Sequence, residues 1–170
     1  MESQGFKIIR LATYSKRLND EDKYGRIMTE KGELAILPAD DINFLAYCDF
    51  IKGKEPRGNH YHKEKIEYLY VCKGRLKVYI KKAEDSEAEV QTFEIQGGDI
   101  VCIETGYTHA VETIEEGYGI EFSKTKQEII KQDSFYEKIT EIYKHLIGIK
   151  YNNKKSLVFR ISLGTWLFVL

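Results

Sequence analysis

The chain lacks a long apolar run at its start: MESQGFKIIR carries none of the hydrophobic stretch of a secretory leader. Cysteine is scarce as well, and Cys48, Cys72 and Cys102 are odd in number with no paired short spacing, which argues against a disulfide framework. These two absences imply a cytoplasmic protein with free thiols. Each cysteine sits among apolar neighbours in a strand-like stretch, the setting of a small buried hydrophobe, so none is assigned chemistry. An excess of either charge is missing too. Lys and Arg total 26 against 27 Asp and Glu, dispersed along the chain, so no basic stripe tracks a phosphate backbone and nucleic acid is not expected as a partner. Internal repeats and low-complexity segments are absent. The apolar tail LVFRISLGTWLFVL holds 14 residues with Arg160 inside, short of the roughly 20 needed for a membrane-spanning helix. An extra strand, an oligomer contact and an appended extension all remain open for it.

What is present is β-structure. A chain of 170 residues is long enough to close one hydrophobic core, so one domain is expected. Short β-rich runs recur at 43–50, 68–72, 75–80, 90–95, 99–103, 109–112 and 118–122, broken by Gly58, Gly74, Gly97, Gly98, Gly106 and Gly117. Many short strands with glycine-rich turns point to a sandwich or barrel, since a βαβ sheet would need helical crossovers between strands. Leu76, Val78 and Ile80 alternate with Arg75, Lys77 and Tyr79, which predicts one buried and one wet face. The charged stretch 81–89 is expected to be an exposed hairpin loop. Farther on, Ser134 and Glu137 form a capping-box signature, and Phe135, Ile139, Ile142 and Leu146 follow at helical spacing up to Gly148. That pattern predicts a helix of about 13 residues, roughly 20 Å long.

Chemistry concentrates around the histidines. His60 and His62 are one residue apart, so on a strand both side chains leave the same face at chelating distance. Glu67 follows after a gap long enough for a turn and shares a strand face with Leu69 and Val71. His109 stands just after the turn at 104–108. Imidazoles with one carboxylate suit a divalent transition metal such as Zn, Fe, Mn, Ni or Cu, with coordination positions left for water or substrate. The alternative is a metal-free, hydrogen-bonded polar pocket. His145 is expected on the solvated face of the helix, beside Lys144.

Two segments carry a family resemblance. GNHYHKEKIEYLYVCKG at 58–74 resembles the first cupin motif, His-x-His followed by Glu and then Gly. GDIVCIETGYTH at 98–109 resembles the second. The four metal ligands of metal-binding cupins fall on His60, His62, Glu67 and His109, and the turn glycines on Gly74, Gly98 and Gly106. Three departures spare every ligand: the leading glycine is displaced to Gly53, Glu104 stands where Pro is usual, and Thr113 where Asn often sits. The resemblance implies an all-β fold, a cupin-type double-stranded β-helix (jelly-roll barrel) with one C-terminal helix. The boundaries expected are an N-terminal arm over 1–30, the barrel over 31–123, the helix over 124–150 and the apolar tail over 151–170.

Within cupins, the RGNHYH string at 57–62 is similar to cupins of bacterial capsular and cell-surface sugar biosynthesis, including nucleotide-sugar ketoisomerases. The latter are understood to use histidine as acid and base without a catalytic metal. The resemblance implies a sugar-like small-molecule ligand, isomerase or epimerase chemistry with His60 and His62 as the catalytic pair, and Arg57, Tyr70 and Tyr107 as substrate contacts. A metal-dependent oxygenase and a non-catalytic metabolite-binding module stay open beside it. Packing accounts for any one tyrosine better than a pocket does, and a surface ion pair accounts for Arg57 as well as a ligand clamp does. A homodimer is expected, because the arm, the helix and the tail offer surface beyond what one small barrel can cover.

Overall fold

Alternating side chains and glycine turns build eleven strands among residues 5–141 and 143, the part of the chain described by a computed structural model. The chain divides into two compact units, Met1–Ile139 and Thr140–Leu170, and the strands belong to the first. They are β1 (Phe6–Arg10), β2 (Thr13–Tyr14), β3 (Gly25–Thr29), β4 (Gly32–Ile36), β5 (Phe44–Phe50), β6 (Arg57–Tyr61), β7 (Glu67–Lys82), β8 (Gln91–Gln96), β9 (Asp99–Ile103), β10 (Tyr107–Ser123) and β11 (Phe135–Tyr136). One short helical turn, α1 (Gln127–Ile130), lies between the last two strands.

Eight strands form one sheet in the order β1-β9-β7-β10-β6-β11, with β5 added to β10 and β8 to β7. Every pairing in it is antiparallel. This is the all-β architecture that the short strands and glycine turns predict, and the jelly roll that the family resemblance implies. Strand β1 pairs with β9 from Phe6↔Ile103 to Arg10↔Asp99, so part of the segment expected as an arm is a strand of the barrel sheet itself.

The runs expected as separate strands at 68–72 and 75–80 are one strand, β7, and those at 109–112 and 118–122 are one strand, β10. The two pair along their length, with register shifts between Thr113 and Gly119. Gly117 sits at this irregular crossing, where a Cβ would lie 1.9 Å from the Lys73 carbonyl oxygen, so no side chain fits. The irregularity inverts the parity of β7. Leu69 and Val71 face the core before it, and Leu76, Val78 and Ile80 after it, joined there by Cys48, Phe50, Ile95, Val101 and Ile103. A bulged residue reverses which alternate positions point inward, which is how both halves of a long bent strand serve one core. The face of 75–80 expected to be wet is not wholly so: Tyr79 is buried, and its hydroxyl donates to Glu112.

A second sheet, β2-β3-β4, joins a parallel β2–β3 pair to an antiparallel β3–β4 hairpin. Ala35, Leu37 and Ala39 from and after β4 pack on Tyr70, Ile100 and Phe122, a second core on the outer face of the barrel wall. Arg26 Nε and Nη2 donate to the Glu33 carboxylate at 2.7 and 3.0 Å. The Tyr70 hydroxyl donates to the same carboxylate at 2.5 Å.

The capping box at Ser134 and Glu137 does not open a helix. Phe135 and Tyr136 pair with Tyr61 and His60 as β11, the Glu137 N–H donates to the Asn59 carbonyl at 2.8 Å, and helical residues begin only at 139. Tertiary partners for the backbone outweigh a local cap. The rest of that predicted helix, with His145, and the apolar tail at 151–170 lie outside the described residues. No helix among the described residues is long and apolar enough to cross a membrane.

Candidate metal centre

A bulge aims the histidine pair. Gly58 and Asn59 both take left-handed conformations, with φ of 90° and 57°, and the β6–β10 register slips from His109↔His60 to Ala110↔Gly58. Only glycine enters that region at little cost, and Asn tolerates it better than most. At Gly58 a Cβ would also stand 2.7 Å from the His109 carbonyl oxygen, so glycine lets β6 lie tightly against the strand carrying the third histidine.

His60 at the end of β6, His62 just beyond it, Glu67 at the head of β7 and His109 near the start of β10 converge. One donor atom from each lies within 4.8 Å of all the others. Ring centroids of His60 stand 4.8 Å from those of both His62 and His109. Glu67 Oε2 is 3.5 Å from His62 Nε2, and Glu67 Oε1 is 3.5 Å from His109 Nε2.

The outward nitrogens fix the tautomers. His62 Nδ1 is bonded to the Asp133 backbone carbonyl, and His109 Nδ1 to the Tyr107 carbonyl at 3.2 Å. A carbonyl only accepts, so each Nδ1 carries its proton, and in the neutral ring Nε2 presents a lone pair. Both Nε2 atoms are buried without a hydrogen-bond partner. Orphaned acceptors facing a common carboxylate are costly unless something occupies the space between them. Three imidazoles and one carboxylate form a donor set that a divalent transition metal fits.

Electrostatics separate the histidines. Burial, helped by the neighbouring His109 and His62, lowers the His60 pKa to about 4, so this ring is neutral near pH 7. For His109 burial works in the lowering direction, yet the Glu67 carboxylate outweighs it and the pKa is raised. Glu67 is pushed up by burial and pulled further down by His109, His62 and Lys65, ending well below the ordinary carboxylate range.

Lys65 is the residue that sequence reasoning missed. Its ammonium is buried and lies 2.8 Å from Glu67 Oε2 and 2.5 Å from Glu121 Oε1. A lysine in a turn of charged residues gives no pattern to find it by. Asp133 was missed likewise: its carboxylate accepts from the backbone N–H groups of Lys63, Glu64 and Lys65 at 2.8, 2.9 and 2.7 Å, holding the loop between His62 and Glu67.

The expected substrate contacts are placed differently. Tyr70 is only 3% exposed and packs in the outer core. It leaves β7 on the face opposite Glu67, so the expectation of a Tyr70 substrate contact is corrected: strand parity turns it away from the centre. Tyr107 shares the His109 side of β10, packs against the main core and lies against Gly5. Arg57 is exposed, and its Nη1 donates to the Asp49 carbonyl at 3.2 Å. Clefts of about 380 and 420 Å³ occur elsewhere, one beside Asp49, Ile51 and Tyr118 and one beside Lys63, Glu128 and Phe135, and neither is lined by any of the four donors.

Residues 45–120 match the family model of the polysaccharide biosynthesis C-terminal domain. No curated protein matches the chain in sequence. Solved structures similar to it include the 3,4-ketoisomerase QdtA from Thermoanaerobacterium thermosaccharolyticum in complex with TDP-4-keto-6-deoxyglucose. That likeness has 15% identity and a TM-score of 0.59, over 79% of this chain and 88% of that one. The TDP-quinovose 3,4-ketoisomerase WlaRB from Campylobacter jejuni is 15% identical with a TM-score of 0.52, over 71% of this chain and 85% of that one. The capsular polysaccharide assembling protein CapF from Staphylococcus aureus is 19% identical with a TM-score of 0.50, over 68% of this chain and 32% of CapF. The fold is the cupin-type jelly roll that these structures share.

Proposed function

We propose that this cupin-type barrel works on a nucleotide-linked or free sugar at the His60, His62, Glu67 and His109 centre, moving a proton on a carbon next to a carbonyl. The observation that carries the reading is the convergence of three imidazoles and one carboxylate with two orphaned Nε2 atoms. The matching polysaccharide-biosynthesis family model and the ketoisomerase structures support the substrate class.

The four side chains would hold a divalent transition metal (Zn, Fe, Mn or Ni), which when bound supplies polarisation of a carbonyl oxygen. The chain's own groups do the rest. His60 is half-buried, while His62 and His109 are fully buried, so His60 is the ring that solvent and a sugar can reach. In the metal-free form of the centre its lowered pKa leaves it neutral, the form in which an imidazole accepts a proton from carbon; as a metal ligand its lone pair would be committed to the ion. Glu67 stabilises the charge that then appears on the imidazole cluster. Arg57, exposed at the start of β6, would be the group to meet a diphosphate.

The test is solvent exchange. Incubation with a panel of nucleotide 4-keto sugars in deuterated water, with and without added metal, is expected to place deuterium on the carbon beside the carbonyl. Elemental analysis of untagged protein identifies the metal. Exchange no faster than in a His60→Ala variant across the whole panel sinks the enzymatic reading. A second reading is a non-catalytic sugar-binding module. Saturable sugar binding without exchange is its signature.

A further inference from the structure

Lys65 carries a charge that neither proton transfer nor metal ligation uses. Its side chain is 4% exposed and sits in the loop between β6 and β7, two residues before Glu67, with its ammonium over the Phe44 ring at 4.9 Å. One end of the contact is Glu67 Oε2 and the other is Glu121 Oε1, on the paired strand β10. A buried ammonium between two carboxylates is a cation site already filled by the protein's own cation. The oxygen it holds, Glu67 Oε2, is the one that stands 3.5 Å from His62 Nε2, inside the donor set.

We propose that Lys65 is a built-in competitor for the metal at Glu67, setting the centre to bind a divalent ion loosely enough to exchange it. The proposal rests on the metal reading above. A divalent ion among the four donors adds positive charge beside an ammonium in a poorly screened interior, where like charges repel. The ammonium also draws off one of the two oxygens that a carboxylate can offer an ion. With Lys65 gone, the buried Glu67 and the partly buried Glu121 are two neighbouring negative charges that a divalent ion offsets. With Glu121 gone, the ammonium has Glu67 as its sole carboxylate partner among these contacts and holds it more tightly. The two substitutions therefore act on metal affinity in opposite directions. A lysine that merely orients a ligand gives the reverse sign for its own removal, since losing an outer partner ordinarily weakens a metal site.

Zinc and cobalt affinities are measured by competition with a chromophoric chelator at one fixed pH, on the full chain and on Lys65→Met, Lys65→Arg, Glu121→Gln and His62→Ala. Lys65→Met is expected to bind at least about tenfold more tightly than the parent, Lys65→Arg about equally, and Glu121→Gln several-fold more weakly, on the ten- to hundredfold scale typical of groups next to ligands. In urea without metal, Lys65→Met unfolds earlier than the parent, and saturating zinc closes that gap. Should Lys65→Met fail to fold, Glu121→Gln keeps the question decidable, because competition requires its affinity to fall. Parent binding that is abolished by His62→Ala but unchanged or weakened by Lys65→Met, or unchanged by Glu121→Gln, overturns the competition and leaves the metal reading standing. Absence of binding in both the parent and Lys65→Met overturns both.

Discussion

Gly58 bears on the centre through its backbone alone. It combines a left-handed φ of 90° with a close approach to the His109 carbonyl, so Gly58→Ala meets conformational strain and a steric clash together. A cost of about 1–3 kcal/mol is expected, read as an earlier urea midpoint, with reduced metal retention because β6 moves off the strand bearing His109. Unchanged metal retention in a destabilised variant removes the link between bulge and site. The four donors themselves were legible in the sequence: period-two spacing puts His60 and His62 together, and a strand head carries Glu67. Tyr70 was misread although the same period places it opposite Glu67; the alternation applied to Leu69 and Val71 excludes it from the pocket. Lys65 and Asp133 were not legible, because their partners are a distant carboxylate and three loop amides that no local pattern announces.

At the scale of elements, the segment 133–137 straps the histidine strand. Asp133 holds the 63–65 loop, β11 pairs with β6, and Glu137 closes the strap through Lys81 at 2.5 Å and the Thr108 hydroxyl. Its sequence spells a helix start, yet the chain is extended there because both its amides and its carboxylates find partners across the barrel. Burial alone would raise the Glu137 carboxyl, but the Lys81 ammonium and Thr108 hydroxyl outweigh it and the pKa is lowered. A lowered folded pKa means stability that is present above the unfolded value, about 4.3, and is lost as pH falls through the folded one. Glu137→Gln should therefore cost about 1–3 kcal/mol at pH 7, the scale of a charged hydrogen bond. The gap between variant and parent should close below about pH 4. Urea titrations at a series of pH values measure it; a gap that stays constant into acid shows that the carboxylate charge is not what holds the strap. Strand positions fared better, since β5, β8 and β9 fall within a residue of the runs read at 43–50, 90–95 and 99–103. The joining of neighbouring runs into β7 and β10 was hidden because a glycine inside a bulge and a glycine inside a turn look alike in sequence.

The eight-stranded sheet hangs on β7 and β10, which pair along most of their length and receive β5, β6, β8 and β9 on their flanks. The outer wall of this ribbon exposes Leu45 (62%) and Tyr47 (65%) beside Tyr118. Sedimentation at micromolar concentration is expected to give a dimer, and a monomer throughout that range counts against the covering of this wall by a second copy. The candidate metal centre supplies the stronger expectation, because its four side chains come from β6, from the loop that follows it, from β7 and from β10. An ion bound there ties together strands that the sequence keeps far apart, and the unfolded chain offers no such cluster. Ligation is therefore linked to folding: an ion present at about a hundred times its dissociation constant adds about 2.7 kcal/mol. Addition of zinc to chelator-treated protein should raise the urea midpoint without changing the slope of the transition, since the surface exposed on unfolding is the same. Chelator should reverse the gain, and His62→Ala or His109→Ala should abolish it, each having lost one buried Nε2 of the cluster. A variant of the exposed Arg57 should keep it, because Arg57 bonds to the Asp49 carbonyl and not to the donor set. If zinc shifts the midpoint equally in the parent and in His109→Ala, the ion is bound somewhere other than between these strands.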